Sequence, residues 1–221
     1  MASLFAALRK PSVTNQPPSA WETRRNDLTI IIWFALMLFL GLNLRSCTLN
    51  ASQSLALGKA LPTIHYPAGW SVTKSDQLAL QAKNLASPSP FDAEIDIFMR
   101  DLKDQETLDL ARSAWGIRRS DDRLQYRELA AENVQLNGDT PGLLVTYAYI
   151  ADPSRESGAN GLPVVVEAQD LLFAQAQKLI VVTTAADANE WAEEAHYFQI
   201  VHDSLKVQPV ASDAQPKGGQ P

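Results

Sequence analysis

The chain has 221 residues, 46% hydrophobic and 20% charged, with 19 basic against 25 acidic side chains and a net charge of −6. That length holds one ordinary domain with additions, or two small ones. The composition excludes wholesale disorder, a collagen repeat and a coiled-coil rod. The single cysteine excludes an intrachain disulfide framework and a cysteine-based zinc site, and the acidic balance excludes a surface built for sequence-independent nucleic-acid binding. A mean hydropathy of −0.14 excludes a polytopic membrane protein.

Residues 1–27 read as a disordered cytoplasmic lead, because Pro11 to Ala20 is rich in proline and serine. Leu4, Phe5 and Leu8 beside Arg9 and Lys10 make at most one amphipathic turn. Residues 28–44 carry no charge and are bracketed by Asp27 and Arg45. At about 1.5 Å per residue they span roughly 25 Å, close to the hydrocarbon thickness of a bilayer. A transmembrane helix is expected there, with Leu28, Ile31, Trp33, Phe34, Leu38 and Leu44 facing lipid and Trp21 near the interface. Arg9, Lys10, Arg24 and Arg25 precede the span, while only Arg45 and Lys59 follow closely. The positive-inside bias then places the N-terminus in the cytoplasm and the C-terminal part outside the cytoplasmic membrane. Four basic against two acidic side chains give residues 1–27 a charge of +2, and fifteen against twenty-three give residues 45–221 a charge of −8.

The apolar run starts too late and runs too long for an ordinary cleaved signal, and no clear A-x-A site follows it. Leu44-Arg45-Ser46-Cys47 has the outline of a lipoprotein cleavage box, spoiled by Arg45 and by the long lead. Cys47 is therefore a free thiol, a lipidation site, or one half of an intermolecular disulfide. Residues 45–61 read as a tether with weak helical potential. Asn50-Ala51-Ser52 matches a glycosylation acceptor but sits beside the membrane. Residues 210–221 have no core-forming pattern and read as a disordered tail.

Residues 62–209 are long enough for one core. Thr63–Tyr66, Trp70–Thr73 and Gln77–Lys83 read as extended segments, and Ser87-Pro88-Ser89-Pro90 breaks the last. Ala93, Ile95, Ile97 and Met99 alternate with Glu94, Asp96, Phe98 and Arg100, a strand with one buried and one mostly wet face. A helix follows, capped by Thr107 and with Asp109 in its first turn. Leu108, Leu110, Ala111, Ala114, Trp115 and Ile117 give it a wide apolar face. Glu128–Leu136 and Leu143–Ile150 flank Asn137-Gly138, a hairpin signal. A long loop from Asp152 to Pro163 reads as mobile. Val164–Phe173 and Leu179–Ala185 make a second hairpin around Gln175-Ala176-Gln177, and their β-branched runs suit central strands. Asp187 with Glu190 makes an acidic capping box for a last helix, whose buried face is Trp191, Ala195, Phe198, Val201 and Leu205. The order β-β-β-α-β-β-β-β-α predicts an α+β fold with a largely antiparallel sheet flanked by helices.

Tyr66-Pro67-Ala68-Gly69-Trp70 at the opening, Lys178-Leu179-Ile180-Val181-Val182-Thr183 before the last helix, and Phe198-x-Ile200-x-x-x-Ser204-Leu205-Lys206-Val207 at its end resemble the PsbP-like family. That family includes extrinsic subunits of photosystem II and bacterial lipoproteins. The resemblance covers residues 62–208 and rests on core and turn positions, so it transfers no catalytic residues. It implies a non-catalytic extracytoplasmic domain that serves as an accessory or assembly component of membrane complexes. The membrane helix departs from the secreted members, and no residues match their metal contacts.

The residues themselves supply little chemistry. His196 and His202 lie about 120° apart around a helix and cannot share a metal without distortion. His65 stands alone, and no nucleophile motif, Walker motif or dinucleotide fingerprint occurs. Glu94, Asp96 and Asp101 could hold a cation but read more simply as solvated charges. Arg112, Arg118, Arg119, Arg123 and Arg127 gather around the end of the first domain helix as a partner-facing patch. The reading is a non-enzymatic, single-pass protein without a cofactor. Its partners are the lipid bilayer, through residues 28–44, and a protein of a membrane complex; no nucleic acid is expected. The alternative is a lipid or small hydrophobic ligand held near Trp115, Tyr147, Tyr149 or Trp191. A hydrolytic enzyme is the weakest reading.

Overall fold

A computed structural model describes residues 19–49, 51–73, 75, 77–152 and 162–209. The expected amphipathic turn, the core of the long loop at Ser154–Gly161 and the tail from Val210 onward lie outside these residues. The chain divides into two compact units, meeting at Thr48 and Leu49. The first is helix α1 (Ala20–Leu49). Its segment Arg24–Leu44 is long and apolar enough to cross a membrane, and none of that window is buried. The two polar side chains in the apolar run bond back to the helix: Thr29 Oγ1 donates to the carbonyl of Arg25 and Asn43 Nδ2 to that of Phe39, both at 2.8 Å. This removes the cost of presenting unpaired donors to an apolar surround. Cys47 falls in the last turns of α1, and its side chain lies outside the description.

The second unit is an α+β sandwich. Strand β1 (Ser52–Ala56) pairs antiparallel with β2 (Thr63–Pro67) as a separate ribbon. The main sheet contains β3 (Ser71–Thr73), β4 (Leu80–Asn84), β5 (Ala93–Asp101), β6 (Leu124–Leu136), β7 (Thr140–Ala151), β8 (Val164–Gln175), β9 (Lys178–Asp187) and the two-residue β10 (Gln208–Pro209). Their order is β10-β6-β7-β8-β9-β5-β4-β3, with every pairing antiparallel. Helix α2 (Leu108–Asp122) covers one face, and helix α3 (Trp191–Leu205) with the β1–β2 ribbon covers the other.

Under α3, the opening motif has a packing role. Gly69 adopts φ +94°, which turns the chain so that Trp70 meets Tyr197 and Phe198 edge-on at 5.6 and 6.3 Å. Phe198, Val201 and Leu205 of α3 then pack on Ile64, Ile95, Ile97, Ile180 and Val182. The closing motif ends the helix: Lys206 is left-handed at φ 51°, and the amide of Val207 donates to the carbonyl of His202 at 3.1 Å.

Several expectations need correction. Residues 52–56 are not slack tether, because Ser52 to Ala56 bond along β2 and the amide of Ala68 reaches the carbonyl of Ala51 at 2.8 Å. The strand expected at Gln77–Lys83 is β4, three residues later. The polar face of β5 is not wet: α2 lies over it, and Glu94 is only 4% exposed. Conversely, the apolar face of α2 is narrower than its sequence suggests. Ala111 is buried, but Leu110 and Ile117 are 58% and 66% exposed. Strand β6 begins at Leu124 rather than Glu128. In β8 the buried run is Asp170–Phe173, while Val165 is exposed. Asp187 does not cap α3. Its carboxylate accepts from Ser89 Oγ at 2.7 Å and from the amide of Asn189 at 2.9 Å, and Glu190 occupies the cap position without a side-chain bond.

Beyond Gln135 and Val134, which pair with β10, the outer edge of β6 has no strand beside it among the described residues. Two register shifts interrupt that edge, between Leu124 and Arg127 and between Glu128 and Ala130.

The β8–β9 turn holds two non-glycine residues, Ala176 and Gln177, at φ 50° and 62°. A left-handed conformation costs roughly 1–2 kcal/mol per ordinary residue, and this two-residue turn suits Asn-Gly. Replacing Ala176→Asn and Gln177→Gly together is expected to stabilise the domain by about 1–2 kcal/mol, read as a higher urea midpoint with an unchanged slope.

Candidate functional site

The sheet face beneath α2 carries a cluster of buried charge. The strand registers place Gln81 beside Asp96, Asp96 beside Thr183, and Thr183 beside Asp170, a polar row crossing β4, β5, β9 and β8. Lys83 and Glu94 are cross-strand neighbours in the adjoining row. Arg119 reaches down into the first row from α2. Its Nε and Nη2 donate to the two oxygens of Asp170 at 3.0 and 2.9 Å, and Nη2 also reaches Thr183 Oγ1 at 2.6 Å. The same carboxylate accepts from Trp115 Nε1 at 2.7 Å, Thr183 Oγ1 at 2.6 Å and the Tyr147 hydroxyl at 3.2 Å. Asp170 is 1% exposed. Burial opposes the charge on Arg119, but the adjacent carboxylate outweighs it and holds the guanidinium ionised. The guanidinium also lies 4.9 Å from the Trp115 ring and 5.6 Å from that of Tyr147.

Just past the helix, Arg123 lies 4.7 Å over the Tyr149 ring and 3.7 Å from Glu94, whose other oxygen is 3.2 Å from Lys83. Three cations thus face three carboxylates, but the geometry leaves one out. Asp96 bonds Gln81, and its Oδ1 is buried without a partner. Burial, reinforced by Glu94, pushes its carboxyl up to about 7.

The five arginines of the expected patch therefore divide. Arg119 and Arg123 point inward. Arg112 pairs with Glu128, Arg118 lies 3.6 Å from Asp122 and faces solvent, and Arg127 is exposed. Glu94 is buried and Asp96 is half-buried, whereas Asp101 pairs on the surface with Lys178 at 2.7 Å. His65 and His196 are exposed, and burial lowers the pKa of His202 on α3. Among the described residues no three His, Cys, Asp or Glu side chains gather as metal ligands would. Asp170 and Thr183 escaped the sequence reading. The available signal was an aspartate set inside the apolar run of a central strand, a position that demands a cationic partner.

No family model matches the sequence, and no curated protein does. Solved structures do match. The cyanobacterial PsbP protein CyanoP of Synechocystis sp. PCC 6803 superposes with a TM-score of 0.52 at 14% identity, over 73% of this chain and 94% of that one. The β-rich unit has a PsbP-like fold. Two further structures match more loosely. PA94 of Pseudomonas aeruginosa, a protein of unknown function, gives 0.45 at 12% identity over 72% and 99% of the two chains. LpqN of Mycobacterium tuberculosis, involved in cell envelope biogenesis, gives 0.48 at 13% over 72% and 91%. At 14% identity the likeness to CyanoP is one of fold alone.

The incompletely paired Asp96 is expected to make the PsbP-like unit sensitive to pH. Its folded pKa lies above the unfolded aspartate value, so the folded state holds the proton more tightly. The cost of ionising Asp96 is absent below about pH 4, grows as pH rises and is complete above about pH 7. Asp96→Asn is expected to raise stability by a few kcal/mol at pH 8 and by less at pH 5, measured as the difference in urea midpoints from the parent protein. An equal gain at both values would contradict it. Asp170→Asn strands Arg119 and is expected to cost about 3–5 kcal/mol.

Proposed function

We propose that this protein is a single-pass, membrane-anchored accessory or assembly subunit of a membrane protein complex, and that it acts by contact rather than catalysis. The N-terminus lies in the cytoplasm, residues 28–44 cross the bilayer, and the PsbP-like unit stands on the far side. The observation that supports this most directly is α1. Its apolar segment is unburied, with Leu28, Ile31, Trp33, Phe34, Leu38 and Leu44 all exposed, a surface that only lipid or another protein can satisfy. The basic flank supplies the orientation. Anchoring raises the local concentration of the domain at membrane-borne partners, and a modest contact surface then suffices.

Arg112, Arg118 and Arg127 are the outward members of the partner patch, whereas Arg119 and Arg123 serve the fold. Of the aromatic residues considered for a lipid pocket, Tyr147 and Tyr149 are buried in packed core and Trp191 packs on Phe198 at 5.0 Å.

Two measurements test the proposal. In a Cys47→Ser background, Lys59→Cys is expected to react with a membrane-impermeant thiol reagent in intact cells, and Ser12→Cys only after permeabilisation. The reverse pattern would overturn the topology. After gentle detergent extraction, the protein is expected to copurify with a membrane complex at fixed stoichiometry, and Arg112→Glu with Arg118→Glu and Arg127→Glu is expected to cut recovery at least several-fold. A lone monodisperse protein would count against the accessory role.

A further inference from the structure

A groove of about 190 Å³ opens between α2 and the end of β5, apart from the buried cluster. Phe98 and Arg100 of β5, Lys103 and Glu106 of the connection, and Ala111, Ala114, Trp115 and Arg118 of α2 line it. Its floor is aromatic: the Phe98 and Trp115 rings lie 4.9 Å apart, tilted by 38°. Arg118 spreads over both, with its guanidinium carbon 5.1 Å from one ring and 5.2 Å from the other.

The charges lining the groove do not balance. Its one acid, Glu106, is consumed by Arg100, which donates to both of its oxygens and holds the carboxyl down at about 2. Lys103 and Arg118 remain. The Lys103 ammonium has no ion-pair partner among the described residues. Arg118 has only the surface pair with Asp122 at 3.6 Å, a contact worth little in water. A pair of loosely held cations on an otherwise strongly acidic domain therefore faces a space walled by aromatic rings.

We propose that this groove binds a small planar organic carboxylate, one carried on an aromatic ring. The carboxylate would sit between Lys103 and Arg118, competing with the weak Asp122 contact for the guanidinium edge while its flat face stays on the rings. The ring of the ligand would lie against Trp115 and Phe98. The volume equals that of roughly six liquid waters, which suits a single ring with its carboxylate and is well below the size of a lipid or drug-sized site. Inorganic phosphate would satisfy the cations but leave the aromatic floor uncovered. The groove shares Arg118 with the partner patch proposed above, but the inference does not rest on the accessory role, and ligand binding is read without any partner present.

The test uses the full chain in detergent and 4-fluorobenzoate followed by fluorine NMR, with protein-free micelles subtracted. Saturable binding is expected, displaced by benzoate and not by the same concentration of inorganic phosphate. 4-Fluorobenzyl alcohol, which keeps the ring and lacks the charge, is expected to bind at least tenfold more weakly. Lys103→Gln and Arg118→Gln, both on the surface, are each expected to weaken binding about tenfold. Lys59→Gln, exposed in the turn between β1 and β2 and outside the groove, should leave it unchanged. Absence of saturable binding, equal binding of the alcohol, equal displacement by phosphate, or indifference to Arg118→Gln would each overturn the proposal.

Discussion

One carboxylate organises the face of the domain under α2. Asp170 accepts hydrogen bonds from an arginine, a tryptophan, a threonine and a tyrosine drawn from α2, β9 and β7. A buried ion is expensive, and a well-packed apolar residue often does as well for stability alone. What the carboxylate adds is direction. Arg119 and Trp115 lie one helical turn apart, so their common acceptor fixes the rotation and axial position of α2 on the sheet. That rotation turns Ala111 inward and leaves Leu110 and Ile117 in solvent. It also sets Trp115 against Phe98, and so forms the floor of the groove beside Arg118.

The opposite face is held differently. Under α3 the contacts are almost wholly apolar and aromatic, and the ribbon carrying Ile64 and Tyr66 closes the layer. Such packing is tight but tolerant of exchange among residues of similar volume. Both sides of the sandwich thus supply apolar burial, and the α2 side adds the polar contacts that set register. Asp96 is the cost of the second arrangement, a third acid for which the row of cations leaves no donor.

Much of the architecture was legible in the chain because local rules and tertiary packing agree there. The charge-free span, the alternation of β5, the Thr107 cap and the Asn137-Gly138 turn each report a constraint contained within a few residues. The cap is made as expected, with Thr107 Oγ1 accepting from the amide of Leu110 at 3.3 Å. Asn137 and Gly138 both take positive φ, 50° and 87°. Illegible were the features settled by partners distant in sequence. Glu94 and Asp96 look solvated until a helix from elsewhere covers them. Five arginines look like one patch until Asp170 and Glu94, far along the chain in opposite directions, claim two of them. Asp187 looks like a cap until Ser89, 98 residues before it, occupies its carboxylate.

The interrupted edge of β6 bears on how such a protein survives crowding. An open strand is a template for any other strand that meets it in register. Two irregularities within seven residues, and a left-handed Gln125 at φ 53°, twist that template out of phase with a straight partner. Exposed Arg127, Glu128 and Glu132 add charge along it. The edge is thus poorly suited to uncontrolled strand-by-strand polymerisation.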